Sequence, residues 1–334
     1  MEISAETEGQ AAVAKSPNPY VFIVGCPRSG TTLFQRIVDA HPELAVIHET
    51  HWIVEFFEKR TGVDNEGLVT PQLVPRLLQH RRFPSLEMTA EDLEWLSRTE
   101  GGPVHFSAFV TRVYDLYGER RGKRLVGDKT PGNVRHLPTV HGLWPEARIV
   151  HLVRDGRDVA LSWLDWKKSG RKLGRFASWH ADPLVTVALW WRLNVRLGRE
   201  FGESLPAHLY HEVRYERLVE DPAAECTALC DFLGVRYDDA TLRFNEGRVR
   251  NDPRLTSKAR WLPPTPGMRY WRSQMTSDDV ELFEAAAGDL LDEFGYPRAF
   301  PGPDAAALRR AAAVAETFVA DVHALPRGRL PERW

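Results

Sequence analysis

The chain has 334 residues, with 44 basic against 46 acidic side chains for a formal charge of −2, and 43% of it is hydrophobic. That is enough to bury the core of one large α/β domain with insertions. The near-neutral balance excludes the global basic field of a nucleic-acid binder. The three cysteines exclude a disulfide framework, and no window approaches the roughly 18 apolar residues of a membrane span.

Residues 1–19 lack the charged start and apolar core of a secretion signal, so they are expected to be a flexible leader on a cytoplasmic protein. The stretch YVFIVGCPRSGTT (20–32) then reads as a buried strand over 20–24, a turn from Gly25 to Gly30 and a helix over 31–40. The free amides at that helix start point at an anion. Three hydroxyls and one arginine surround Gly30, so Pro27, Arg28, Ser29, Gly30, Thr31 and Thr32 are expected to form a phosphate-cradling loop. Gly25 and Gly30 have the separation of a G-x-x-x-x-G-K-[ST] loop, but Thr31 stands where its lysine would be. This argues against ordinary nucleoside-triphosphate hydrolysis.

A second apolar run leads into LAVIHETHW (44–52), which gathers His48, Glu49 and His51, side chains from which a general base is drawn. A glutamate at a helix start is also a favourable dipole partner, and the residues alone leave both readings open. A helix is expected over 51–60. Residues 61–120 look inserted, with short helical patterns at 71–81, 89–98 and 105–118 broken by Pro84 and a Gly101-Gly102-Pro103 turn. A strand over 124–127 runs into GDKTP (127–131), which puts Lys129 at a strand's carboxyl end, and a helix follows over 132–143.

The segment ARIVHLVRDGRDVALSW (147–163) reads as a strand over 148–153 that turns into a helix over 155–168. Ligand groups gather at the carboxyl ends of parallel strands, so Arg154 and Arg28 should converge on one crevice. Ser162, two helical turns on, is expected to face Arg154. The aromatics Trp163, Trp166, Phe176, Trp179, Trp190 and Trp191 read mostly as core, with some available to wall an apolar pocket. A helix over 184–200, a strand over 207–213 and a helix over 221–233 follow. Cys226 and Cys230 lie one turn apart there and read as packed thiols. Strand alternating with helix implies a parallel sheet covered on both faces.

Residues 253–277 contain Arg254, Lys258, Arg260, Arg269 and Arg272 and no acidic residue, which suits either a late clamp on a phosphate or a solvated basic loop. Beyond Pro303 a helix runs to about residue 325 with Leu308, Ala312, Ala315, Phe318, Val319 and Val322 on one face. That face needs its own core or, in a homodimer, a second subunit.

Two separated loci of arginine and hydroxyl suit a ligand with anions at two points, such as 3′-phosphoadenosine 5′-phosphosulfate (PAPS). From residue 20 to 295 the chain resembles the PAPS-dependent sulfotransferases. CPRSGTT (26–32) is similar to their 5′-phosphosulfate loop and RDGRDVALS (154–162) to their 3′-phosphate segment. DAHPEL (39–44), GDKTP, YERLVEDP (215–222) and FLGV (232–235) follow in the family's order. The loop arginine, DAHPE and HET (48–50) are more similar to the Golgi tyrosylprotein and bacterial branches than to the cytosolic branch.

The resemblance implies a P-loop-like three-layer α/β/α fold with a central parallel sheet and helical insertions. Residues 20–300 would form the sulfotransferase domain, with an insertion at about 50–120 over the acceptor pocket, and 301–334 a helical extension. It implies in-line transfer from PAPS, without a metal, to a hydroxyl or amine of a small-molecule, glycan, lipid or peptide acceptor. Arg28 would neutralise the leaving oxygen and Lys129 the transferring group. Glu49 would be the base, with His48 the alternative. Arg154 and Ser162 would hold the 3′-phosphate, Tyr215 the adenine, and Arg269 and Arg272 a C-terminal donor segment. A P-loop kinase would instead need a lysine at Thr31 and magnesium-binding carboxylates, and a non-catalytic nucleotide-binding module would be expected to have lost Arg28, Lys129 or Glu49.

Overall fold

The computed structural model describes residues 15–98, 102–168, 176–246, 270–326, 328–332 and 334. The expectations for the leader up to residue 14, for Arg254, Lys258, Arg260 and Arg269, and for the Trp166 side chain lie outside the described residues. Five strands, β1 (Val21–Gly25), β2 (Leu44–His48), β3 (Leu125–Lys129), β4 (Arg148–Val153) and β5 (Tyr210–Arg214), form one parallel sheet in the order β2-β3-β1-β4-β5. Near-continuous apolar runs such as VFIV belong on strands buried on both faces. Phe22 and Val24 of β1 accordingly pack to one side with Ala45, Ile47 and Val126. Val21 and Ile23 pack to the other with Val46, Leu125, Val150 and Leu152.

The first face is covered by α2 (Trp52–Lys59), α3 (Leu73–Leu78), α4 (Ala90–Leu96), α5 (Phe106–Glu119) and α6 (Leu137–Leu143). The opposite face takes α1 (Thr31–Asp39), α10 (Tyr215–Glu220) and α11 (Pro222–Leu233). A third cluster joins Val153 at the end of β4 to α7 (Gly156–Lys168), α9 (Pro183–Glu203), α13 (Ser277–Glu293) and α14 (Ala305–His323), with α8 (Ala177–Ala181) beside α9 and α12 (Trp271–Gln274) against α7. Trp163, Trp179, Trp190 and Trp191 are buried in this third cluster, with Phe176 at its edge. Among the described residues no helix is long and apolar enough to cross a membrane.

Three expectations shift. Leu44–His48 is a strand, paired from Leu44↔Leu125 to His48↔Lys129, where the sequence marks only an apolar run. Its five residues carry little signal of their own, and β3 supplies the pairing. The helix expected over 132–143 opens as a 3-10 turn, Pro131–His136, and becomes α-helical only at Leu137, because Pro138 fits a first turn and not a helix interior. The buried stripe of α14 is Ala311, Val314, Phe318 and Val322, packed on its own chain, whereas Leu308 is 48% exposed and Ala312 faces outward. Cys226 and Cys230 are free and buried, and burial raises their thiols to about 12 and about 11.

Candidate active site

Every strand delivers a polar side chain at or just past its carboxyl end. After β1 the turn carries Arg28 at φ 79°, and after β2 Glu49 and His51 both sit at φ 51°. These are three of the five non-glycine residues with positive φ among those described, a conformation that costs on the order of 1–3 kcal/mol each unless its surroundings hold it. The Glu49 amide donates to the Lys129 carbonyl at 2.8 Å and the Ser29 amide to the Cys26 carbonyl at 3.2 Å. Gly30 completes the turn at φ 97°, where a Cβ would lie 2.5 Å from the Tyr215 ring. Only glycine lets that ring rest against the loop. The helix behind it, α1, has no side-chain cap and no acidic residue in its first turn, so no side chain of its own competes for the amides at its start.

Lys129, at the end of β3, is fully buried. Its Nζ donates to Glu49 Oε1 at 3.0 Å and to Thr32 Oγ1 at 3.3 Å, joining the two loops. The other Glu49 oxygen accepts from Arg82 at 2.5 Å and lies 3.5 Å from His51 Nε2. Burial would raise the Glu49 carboxyl, but the His51 hydrogen bond and the Lys129 charge together hold it well below the usual carboxylate range. Burial also lowers Lys129, against the pull of Glu49. His48 is lowered to about 4, first by burial and then by Lys129, so at neutral pH it is an uncharged imidazole. Asp128 is buried beneath them within 3.4 Å of the Tyr114 hydroxyl, and burial raises its carboxyl.

Past β4, Arg154 is 6% exposed, donates to Asp158 Oδ2 at 3.1 Å and lies 4.1 Å from the centre of the Tyr215 ring. Ser162 contacts the first loop. Its Oγ accepts from Arg28 Nε at 2.9 Å, so the two expected anion loci are tied together by this contact and by Tyr215, which touches both. Arg272 is exposed, its guanidinium 4.3 Å from the Trp271 ring centre, and the Trp271 amide donates to Asp158 Oδ1 at 2.9 Å.

Glu49, Lys129 and Thr32 therefore meet directly, as do Arg28 with Ser162 and Arg154 with Tyr215. Sequence reasoning missed Arg82, which an inserted loop brings onto Glu49, and Arg157, a buried neighbour of Arg154. Arg82 had no local signal. Arg157 sits in the RDGRD run, where its acidic neighbours were a usable hint of pairing.

A parallel sheet with a glycine- and hydroxyl-rich turn after one strand, and cations with a carboxylate at neighbouring strand ends, has the architecture of a P-loop-like group-transfer enzyme. Residues 19–239 match the model of the Sulfotransferase family, and the chain belongs to that family. It is 29% identical to nodulation protein NoeE of Sinorhizobium fredii, over 91% of this chain and 72% of that protein. It is 24% identical to protein-tyrosine sulfotransferase A of Caenorhabditis elegans, over 85% and 69%. It is 26% identical to omega-hydroxy-beta-dihydromenaquinone-9 sulfotransferase Stf3 of Mycobacterium tuberculosis, over 86% and 77%. The protein is a sulfotransferase, an enzyme that moves a sulfuryl group to an acceptor.

Proposed function

We propose that the crevice at the carboxyl ends of β1 to β4 holds PAPS and passes its sulfuryl group in line to an acceptor hydroxyl or amine. The observation that carries this reading is the row Glu49, Lys129, Thr32, which puts a carboxylate, a cation and the anion loop in contact. The residues fit the donor. The Ser29 hydroxyl is fully buried and finds no hydrogen-bond partner among the described residues, and the uncapped start of α1 stands beside it.

In this reading Pro27 to Thr32 cradle the 5′ end of the donor. Arg154 and Ser162 receive the 3′-phosphate, Tyr215 lies against the adenine, and Arg269 and Arg272 add C-terminal contacts. Glu49 accepts the acceptor's proton as the acceptor oxygen bonds to sulfur and the sulfur–oxygen bond to the donor phosphate breaks. Arg28 and Lys129 balance the charge that builds on the leaving and transferring groups, so the stabilisation comes from side chains and backbone amides rather than from a metal. The relatives named for a protein tyrosine and for an omega-hydroxylated menaquinone both offer a hydroxyl. We extend that to this chain as a hydroxyl-bearing small molecule, glycan, lipid or peptide, sulfated in the cytoplasm. The inserted residues 50–120 form the acceptor side of a domain spanning 20–300.

The test is transfer of label from ³⁵S-PAPS, without magnesium, to a panel of phenols, sugars, hydroxylated lipids and tyrosyl peptides. The wild type labels at least one class and Arg28→Ala labels none while keeping its circular dichroism. Equal labelling by Arg28→Ala would remove that residue from the chemistry.

A further inference from the structure

Glu49 is poorly placed to act as a base in the conformation described. Its carboxylate meets Lys129 from β3 at one oxygen and Arg82 from the insert at the other, with His51 at 3.5 Å and His48 at 3.9 Å. A base needs a lone pair aimed at the proton it takes and an affinity for protons near the working pH. Here the cations occupy both oxygens and disfavour protonation. Lys129 belongs to the donor side of the site, whereas Arg82 does not. It caps the start of the 3-10 segment Phe83–Leu86, and its backbone is fixed at both ends. The Arg82 amide donates to His80 Nδ1 at 3.3 Å, and its carbonyl accepts from Ser85 Oγ at 2.6 Å. The buried Arg82 Nε has no hydrogen-bond partner among the described residues, and the side chain is 30% exposed, so an arriving acceptor can displace it.

We propose that Arg82 is a positioning residue that latches Glu49: it holds the carboxylate while the acceptor place is empty and gives way when an acceptor hydroxyl takes its position. This rests on the reading of Glu49 as the base. With donor bound and no acceptor, an unlatched Glu49 would take a proton from water. The water oxygen would bond to sulfur as the sulfur–phosphate oxygen bond broke, releasing sulfate and adenosine 3′,5′-bisphosphate. The latch keeps the donor from being wasted on water, whose exclusion any transferase needs.

The experiment measures acceptor-free conversion of PAPS to adenosine 3′,5′-bisphosphate by wild type, Arg82→Ala, Arg82→Lys, Glu49→Gln and the Arg82→Ala/Glu49→Gln double variant. Calorimetric binding of the bisphosphate confirms that each is folded. Arg82→Ala should hydrolyse the donor roughly 10-fold faster or more, a part of the ~10²–10⁴ a positioned base supplies. Arg82→Lys should fall between it and wild type, and the double variant should lose the gain. In the ligand-free protein, ¹³C-carboxyl NMR should show the Glu49 titration midpoint rise in Arg82→Ala, the resonance being identified by its absence in Glu49→Gln. His48, His51 and Lys129 still face it there. An unmoved midpoint overturns the latch itself. A raised midpoint with unchanged hydrolysis, or a double variant as fast as Arg82→Ala, overturns it by removing Glu49 as the base.

Discussion

Two clusters of buried charge stand at strand ends, one after β2 and one after β4, and they are built on opposite plans. Around Arg157 every charge is matched. Its fully buried guanidinium donates to both oxygens of Asp155 at 3.0 and 2.7 Å, to Glu284 at 2.6 Å and to the Pro297 carbonyl at 3.0 Å, and it stacks on Trp271 at 3.7 Å. Glu284 in turn accepts the amides of Ala299 and Phe300. This network ties the start of α7 to α13, and a fully satisfied network is rigid. Around Glu49 one carboxylate faces Lys129 and Arg82, the backbone is at positive φ on both sides of Thr50, and an anion is needed to complete the balance. A matched cluster fixes a fold; an unmatched one waits for a substrate.

Breaking each cluster should separate the two roles. The largest effect is expected from Glu49→Gln, which should slow transfer by ~10²–10⁴ and also lower the urea midpoint, because fully buried Lys129 loses its counter-charge. A large stability loss without a loss of turnover would reverse the comparison. Arg157→Met should act on the fold without removing a group from the transfer, lowering stability by about 3–5 kcal/mol because Glu284 and Asp155 are left buried without their cation. Chemical denaturation measures this, and a change below about 1 kcal/mol would show that the network is not structural.

A smaller effect separates the two regions by pH. His151, fully buried in the sheet core with its Nδ1 2.7 Å from the Tyr210 hydroxyl, is lowered to about 3 by burial, and His48 at the site to about 4. Both are neutral in the folded protein, whereas the unfolded chain protonates them near 6.5. Their contribution is therefore complete above pH 6.5 and is lost as pH falls towards 4 for His48 and 3 for His151. The slope is up to about 1.4 kcal/mol per pH unit for each. His48→Asn should flatten the curve only between pH 6.5 and 4, and His151→Gln should flatten it further into acid. An unchanged slope in either variant would show that the histidine is not the one taking up the proton.

Much of this is legible in the amino-acid sequence, for a physical reason. Buried parallel strands are written as apolar runs, and an anion loop is written as glycine and hydroxyls at a strand's end, so β1, β3, β4, β5 and the 26–32 turn could be placed. Lys129 and Arg154 followed from their positions at strand ends. Contacts made across the fold were not legible. Ser162 pairs with Arg28, which joins the β1 turn to α7. Tyr215 reaches Gly30 from β5's far side of the sheet, and Arg82 reaches Glu49 across 33 residues of chain. The edge strand β2 was missed because β3 gives it its structure. For α14 Phe318 and Val322 lie in the expected stripe, but Ala311 and Val314 face the core where Leu308 and Ala312 were expected, since alanines on both flanks carry no orientation.

The central claim is that these strand ends form a site for a nucleotide with a 3′-phosphate. Calorimetric titration of adenosine 3′,5′-bisphosphate, without magnesium and beside ADP and ATP, tests it most directly. The account predicts binding that requires the 3′-phosphate and weakens roughly 10- to 100-fold in Arg154→Ala, as expected for loss of a charge-assisted contact. Binding of ATP as tight as that of the bisphosphate, unchanged by Arg154→Ala, would contradict it.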